Sequence, residues 1–362
     1  MIKKYLRYLL FPFSIIYAIV IVIRNLLYDL KIFKSKVFNI PIIGIGNLST
    51  GGSGKTPMAE YIIEFLTIHG YIPALLSRGY GRNTKGFLEV KQELNAEMTG
   101  DEPFQIKHKF PDAMVAVCED RVEGVESIMQ LNPKVNVIVL DDSFQHRKIK
   151  PGFNILLTEY MLPYYKNNLL PVGTLREPSF GRKRADVVIL TKCPDNISLK
   201  SKNIQKKKLK IKENQSVFYT MINYKLLKKV GAENDPSFSL STDDLWQSKV
   251  VMFTGIANVK PLEDYLENAG VRCRKLKFPD HYRYSDEDIE KILKKWRDIP
   301  FDNKLLITTE KDWRRIEGSP QAEAFSGIPL YFLPISVRWN ANEKPIFDKM
   351  LLKYVESGTK SH

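Results

Sequence analysis

The plainest chemistry in this 362-residue chain lies in Gly51-Gly52-Ser53-Gly54-Lys55-Thr56. Glycines let successive backbone N–H groups turn toward phosphate oxygens, and a helix starting there adds its N-terminal dipole. Lys55 is then placed for the β- and γ-phosphates of ATP, and the Thr56 hydroxyl for Mg2+. The strict Walker pattern wants glycine at position 49, where Ser49 stands, so the compact Gly-Gly-x-Gly-Lys-Thr form is the match. A second group closes the apolar run Val135–Leu140, which ends in Asp141-Asp142. Apolar residues followed by acid make a Walker B pattern, in which the acid serves Mg2+. Adjacent strand residues point to opposite faces, so one carboxylate faces the metal while the other meets a neighbouring loop.

Other candidates carry less by themselves. Gly100-Asp101-Glu102-Pro103 puts two acids in a turn, and phosphoryl transfer to an alcohol uses such an acid as base. Spacing alone does not separate it from a surface pair. The same holds for His281 in Phe278-Pro279-Asp280-His281-Tyr282. Arg78, Arg121, Arg147, Arg176, Arg182 and Arg184 fall near expected strand ends, where open α/β sheets bind ligands and where a guanidinium suits phosphate. Thr191-Lys192, closing another apolar run, resembles the base-side element of P-loop NTPases.

The elements that must position these groups follow from the apolar pattern. Ile40–Ile45 reads as a buried strand and Met58–His69 as the helix after the loop. Ile72–Leu76, Met114–Val117, Val135–Leu140, Asn154–Leu157 and Val187–Leu190 read as further strands, with a helix over Arg121–Leu131. Continuous apolar strands alternating with helices imply a parallel sheet covered on both faces. Val217–Tyr224 reads as a connecting strand. A second α/β unit follows, with strands at Val250–Phe253, Arg272–Lys277 and Leu305–Thr308 and a helix at Pro261–Asn268. Leu330–Val337 is a β-rich run that returns beside the connector.

The expected fold class is therefore α/β, a P-loop NTPase-type parallel sheet with flanking helices and a second, smaller α/β domain. Its expected division is 1–36, 37–215 and 216–362, the first part a membrane-associated helix. Phe11–Ile23 is almost wholly apolar, with Lys3, Lys4 and Arg7 before it and Arg24, Lys31, Lys34 and Lys36 after. Thirteen residues before Arg24 fall short of a typical span, and an interfacial anchor fits better.

Net charge is +14, from 55 Lys and Arg against 41 Asp and Glu, which asks for an acidic partner. Seven lysines crowd Lys200–Lys212, where a solvated linker or exposed helix face is the expected structure. No nucleic-acid signature accompanies them. The cysteines, Cys118, Cys193 and Cys273, are too scattered for a disulfide framework or metal cluster.

In order, the words Gly-Asn-Leu-Ser-Thr-Gly-Gly-Ser-Gly-Lys-Thr-Pro (46–57), Ser-Arg-Gly-Tyr-Gly (77–81), Gly-Asp-Glu-Pro (100–103) and Asp-Asp-Ser-Phe-Gln-His (141–146) are similar to those of the tetraacyldisaccharide 4'-kinases of lipid A biosynthesis. Leu-Leu-Pro-Val-Gly-Thr-Leu-Arg-Glu-Pro (169–178), Thr-Gly-Ile-Ala-Asn (254–258), Phe-Pro-Asp-His (278–281) and Thr-Glu-Lys-Asp (309–312) continue the resemblance. It implies transfer of the ATP γ-phosphate to the 4'-hydroxyl of a tetraacyl glucosamine disaccharide 1-phosphate at the cytoplasmic face of the inner membrane. Carried over, Gly51 to Thr56 bind ATP, with Lys55 acting on the phosphates. Thr56, Asp141, Asp142 and Glu177 form the metal site. Asp101 is the base, supported by His281, while Arg78, Arg121 and His146 meet the acceptor. Ser143 departs from the family's usual glycine and puts the local turn in question. The expected partners are the glycolipid and the membrane surface, no nucleic acid, and a monomer. Asp101 and His281 lie on opposite sides of the expected boundary, so domain closure would assemble the site. The rival reading is a membrane-associated P-loop ATPase switch or metallochaperone, whose signature lysine is replaced by Thr50.

Overall fold

The computed structural model describes residues 9–233 and 235–359. Its elements run α1 (Phe11–Asp29), β1 (Ile42–Asn47), α2 (Lys55–Ile68), β2 (Pro73–Ser77), β3 (Leu88–Glu89), α3 (Ala96–Thr99), α4 (Asp101–Lys109), β4 (Met114–Val117), α5 (Arg121–Leu131), β5 (Val137–Leu140), β6 (Phe153–Glu159) and β7 (Val187–Thr191). There follow α6 (Leu199–Lys208), β8 (Ser216–Tyr224), β9 (Lys228–Lys229), β10 (Lys249–Thr254), α7 (Lys260–Asn268), β11 (Cys273–Lys277), α8 (Asp286–Arg297), β12 (Lys304–Thr309), α9 (Glu310–Ile316), β13 (Leu330–Leu333), β14 (Ile335–Trp339) and α10 (Glu343–Thr359).

The larger sheet has nine strands in the order β14-β8-β7-β6-β1-β5-β2-β4-β3. All pairs from β8 across to β4 are parallel, and only β3 and β14 run antiparallel at the edges. Strand β1 lies between β5 and β6, where the chain switches direction of travel across the sheet. Crevices beyond the carboxyl ends of strands at such a point bind ligands. The second sheet, β11-β10-β12-β13-β9, is parallel except at β9.

Two segments join the sheets, and both are resolved by strand pairing. β8 is a full parallel member of the larger sheet beside β7. The single run expected over Leu330–Val337 breaks at Pro334, which has no N–H to donate. Its first half enters the smaller sheet as β13, and its second half becomes β14, antiparallel to β8. Residues 216–224 and 335–339 thus pair with the larger sheet, although the expected division grouped them with the second unit. α10, absent from the sequence reading, packs there as well: Phe347, Leu351 and Val355 are fully buried with Ile43, Ile62 and Phe218. The Tyr354 hydroxyl donates to Ile42 O at 3.0 Å and accepts from Ile42 N at 2.9 Å.

α1 has an inverted amphipathic arrangement for a docked helix. Ser14 and Asn25 are buried against the protein, while Phe13, Ile16, Ile19, Val20 and Ile23 are exposed. Its 19 residues extend about 28 Å. The basic residues Lys3, Lys4 and Arg7 expected to flank it lie outside the described residues. The lysine-rich run forms α6 and the turn after it, with Lys200, Lys206, Lys207 and Lys208 exposed.

Candidate functional site

The phosphate loop begins where β1 ends. Gly46 has no room for a side chain: a Cβ there would stand 2.5 Å from that of Phe144, so the turn after Asp141-Asp142 crosses directly over β1. The loop is braced from outside by residues 174–176, through Thr50 N to Thr174 O and Arg176 N to Leu48 O, both 2.7 Å. From inside, Asn47 Nδ2 donates to Ser53 Oγ at 2.8 Å, and Thr191 Oγ1 donates to Ser53 O at 2.8 Å. Gly54 has φ +86° and starts α2 with no side-chain cap, so the first helical N–H groups stay available for an anion. Lys192 Nζ would lie 3.8 Å from a Cβ at Gly52, which puts a second ammonium over the loop, paired with Glu159 at 2.6 Å.

The two acids after β5 have different environments. Asp142 has φ +47°, the left-handed region that Asp tolerates better than most residues. Arg176 donates to both of its oxygens, at 2.9 and 2.6 Å, and Lys55 Nζ is 3.7 Å away. Burial pushes this carboxyl upward, but Arg176 and Lys55 outweigh it and hold it at about 2. Asp141 accepts from Ser77 Oγ at 3.2 Å through Oδ2, while its Oδ1 is buried with no partner. Burial and the neighbouring charge of Asp142 push it up to about 6. A buried carboxylate oxygen without a partner among the described residues is a donor that fits a hard divalent cation such as Mg2+. The left-handed residue is Asp142, not Ser143. Ser143 sits in an ordinary conformation with its N–H on Ile45 O at 3.0 Å, so its difference from the family's glycine leaves the turn intact.

Asp101 opens α4, immediately after Gly100 (φ +92°), where a Cβ would meet Gly79 Cα at 3.1 Å. The Ser77–Gly81 loop therefore stacks on this turn. Arg78 in that loop is exposed, and the Tyr80 ring lies edge-on to His281 at 5.8 Å. His281 comes from the second sheet, in a turn with φ +56°, and its Nδ1 lies 2.9 Å from Asp101 Oδ2. The two groups are thus in contact across the sheets. Burial raises Asp101, but His281, Arg315 and Lys311 outweigh it and hold it at about 2.

Three expected site residues are placed differently from the expectation. Arg121 is only 1% exposed; Nη1 donates to Cys118 O at 2.6 Å and Glu119 O at 3.3 Å, Nη2 to Asp141 O at 3.4 Å, and Nε is buried without a partner among the described residues. It is a strut inside the wall, bonded to three backbone carbonyls there. His146 Nε2 accepts from Arg121 N at 3.3 Å; burial and the Arg121 charge lower it to about 4, so it is neutral near pH 7. Glu177 is 2% exposed and receives Arg184 on both oxygens at 2.8 Å, Gln145 at 2.8 Å and Asn25 of α1 at 3.2 Å. Gln145, Asn47 and Arg176 separate it from Asp142. Its carboxylate serves the scaffold that joins α1 to the loops, rather than an open metal position.

Sequence reasoning passed over several groups. Arg176 was one arginine among six near strand ends; the available signal is its place in the word at 169–178. Lys311 reaches Glu102 at 2.6 Å, and Arg315 reaches Asp101 at 2.7 Å, both from α9. Glu310 at the start of α9 lies 3.8 Å from Lys109, which bonds Glu60 of α2; Gln105 also donates to Glu60 at 2.9 Å. Burial pushes Glu60 up to about 7 despite that lysine.

The comparisons with known proteins fit this geometry. Residues 6–356 match the family model described as tetraacyldisaccharide-1-P 4'-kinase (LpxK). The tetraacyldisaccharide 4'-kinase of Flavobacterium johnsoniae is 41% identical over 351 residues, covering 97% of this chain and 98% of that protein. The enzyme of the same name from Phocaeicola vulgatus is 36% identical, over 97% of this chain and 96% of its own length. Among solved structures, LpxK from Aquifex aeolicus in complex with ATP superposes with a TM-score of 0.74 at 29% identity, covering 97% of this chain and 99% of that one. The rival reading as an ATPase switch finds no support in these relatives.

Proposed function

The chain belongs to the tetraacyldisaccharide-1-P 4'-kinase family, and on that premise we propose how it transfers the ATP γ-phosphate to the 4'-hydroxyl of a tetraacyl glucosamine disaccharide 1-phosphate. The observation that carries the reading is that both halves of the chemistry meet at the end of β2: Ser77 Oγ donates to Asp141 Oδ2 at 3.2 Å, and the turn opening on Asp101 stacks there, where a Cβ at Gly100 would meet Gly79 Cα at 3.1 Å.

The loop N–H groups from Gly51 to Thr56 hold the phosphates, and Lys55 lies over them with Asp142 behind it. Both oxygens of Asp142 are bonded to Arg176, so Asp141 Oδ1, with the Thr56 hydroxyl from the phosphate loop, would hold Mg2+. When bound, it would supply charge neutralisation for the phosphates. Asp101, anionic at working pH, accepts a hydrogen bond from the acceptor hydroxyl and then its proton as the new O–P bond forms and the bond from the γ-phosphorus to the bridging oxygen breaks, leaving ADP. A weakly basic carboxylate suffices, because the hydroxyl acidifies as it is phosphorylated and the transition state is loose. His281 donates Nδ1–H to Asp101 and holds it in place. Arg78, exposed at the end of β2, faces the acceptor's negative charge.

The apolar face of α1 lies against lipid at the cytoplasmic face of the inner membrane, where the acceptor's acyl chains reside. Supporting this, polar residues of α1 dock to the protein while its large apolar residues remain exposed. One chain carries every group named, so a monomer is sufficient. ATP consumption in detergent, with and without the disaccharide lipid, tests the reading. A kinase consumes ATP only with the acceptor; equal consumption without it would contradict the proposal.

A further inference from the structure

We propose that Arg315 is a positioning residue for phosphoryl transfer: its guanidinium occupies one oxygen of Asp101 and thereby aims the other at the acceptor hydroxyl. The inference rests on the reading of Asp101 as the base. Arg315 Nε donates to Asp101 Oδ2 at 2.7 Å, and His281 Nδ1 meets the same oxygen at 2.9 Å. Oδ1 is left without a protein partner among the described residues. The guanidinium is itself fixed. Nη1 donates to Gly255 O at 2.9 Å and to Asp312 Oδ1 at 3.1 Å. Asp312 is fully buried and held by Thr254 Oγ1, Gly255 N, Tyr284 Oη and Thr309 Oγ1 at 2.6 to 3.0 Å. Nη2 lies 3.3 Å from His281 Nδ1, so one side chain touches the base, its histidine and the loop after β10.

Only a planar fork does all of this. A lysine supplies the charge from a single point and cannot span Asp101, Gly255 O and Asp312 together. The arrangement also explains why Asp101 keeps its charge. The groups facing it are His281 from the turn after β11, Arg315 and Lys311 from α9, and Glu102 beside it on α4. The cations outweigh both burial and the neighbouring acid. Because Arg315 lies 214 residues from Asp101 and in the other sheet's helix layer, the carboxylate is oriented only while α9 lies against α4.

The test uses the full chain in detergent with ATP and the disaccharide lipid. Arg315→Gln should lower kcat by roughly tenfold to a hundredfold, leave the KM for ATP within about twofold, and move the acid limb of kcat up by about one to two pH units. Arg315→Lys should keep the acid limb near its original place and recover only part of kcat. In an Asp101→Asn background, Arg315→Gln should cost little more, measured by single-turnover radiolabel transfer. Unchanged kcat and acid limb in Arg315→Gln, or an equal loss on both backgrounds, would overturn the proposal. Near-normal turnover in Asp101→Asn alone would instead remove the base reading.

Discussion

The phosphate end of the proposed site and its base end are built in opposite ways. The phosphate end is made by loops of one sheet: residues 46–56 brace against 141–145, 174–176 and 191. The base end is made by single side chains from two sheets, with Asp101 meeting His281 and Arg315 at 2.9 and 2.7 Å. On the proposed reading, local geometry sets where ATP sits, while the packing of α9 on α4 sets whether the hydroxyl is activated. Binding and turnover should separate on mutation.

The largest expected effect is Lys55→Ala, which removes a charge placed on the moving phosphoryl. Transfer should fall by about a thousandfold or more, measured with radiolabelled ATP. Next comes Asp101→Ala, expected to lower kcat roughly a hundredfold to a thousandfold, with ATP affinity by calorimetry within about twofold. A parallel loss of ATP affinity would erase the distinction between the two ends.

The different construction also decides what can be read from sequence. The loop, the Asp141-Asp142 strand end and the alternation of strands and helices are local patterns, and the structure carries them as expected. Asp101 and His281 gained their places only through resemblance, since no spacing rule connects residues 180 apart. Arg315 carried no usable signal: a guanidinium three residues beyond a buried aspartate looks like any helix surface. Glu177 and Arg121 entered as site groups through the resemblance, and no sequence pattern showed that both side chains are buried and bonded within the scaffold. The β13–β14 break at Pro334 was legible in principle, but a continuous apolar run hid the change of sheet.

A third prediction addresses the bridge between the two ends. Glu60 of α2 shares Lys109 with Glu310 of α9, and its folded pKa of about 7 is raised above the ordinary 4.5. The folded state binds this proton more tightly than the unfolded chain. Its contribution is fully present below about pH 4.5 and is lost as pH rises through about 7. Glu60→Gln should therefore gain stability relative to the parent as pH goes from 5 to 8, seen in denaturant unfolding. A difference independent of pH would show that Glu60 is charged throughout.

The smallest effect should come from Ser143→Gly. The strained residue is Asp142, so the glycine gives no relief; it costs about 0.5–1 kcal/mol of backbone entropy. Turnover should stay within about twofold, checked beside the melting temperature.

Mass spectrometry of the purified tetraacyl disaccharide 1-phosphate, incubated with the protein and ATP, tests the central claim most directly. The account predicts a product heavier by one phosphoryl group, with the new phosphate on the 4'-oxygen, and no such product from Lys55→Ala. An unmodified lipid with active parent protein, or phosphate elsewhere on the sugar, would contradict it.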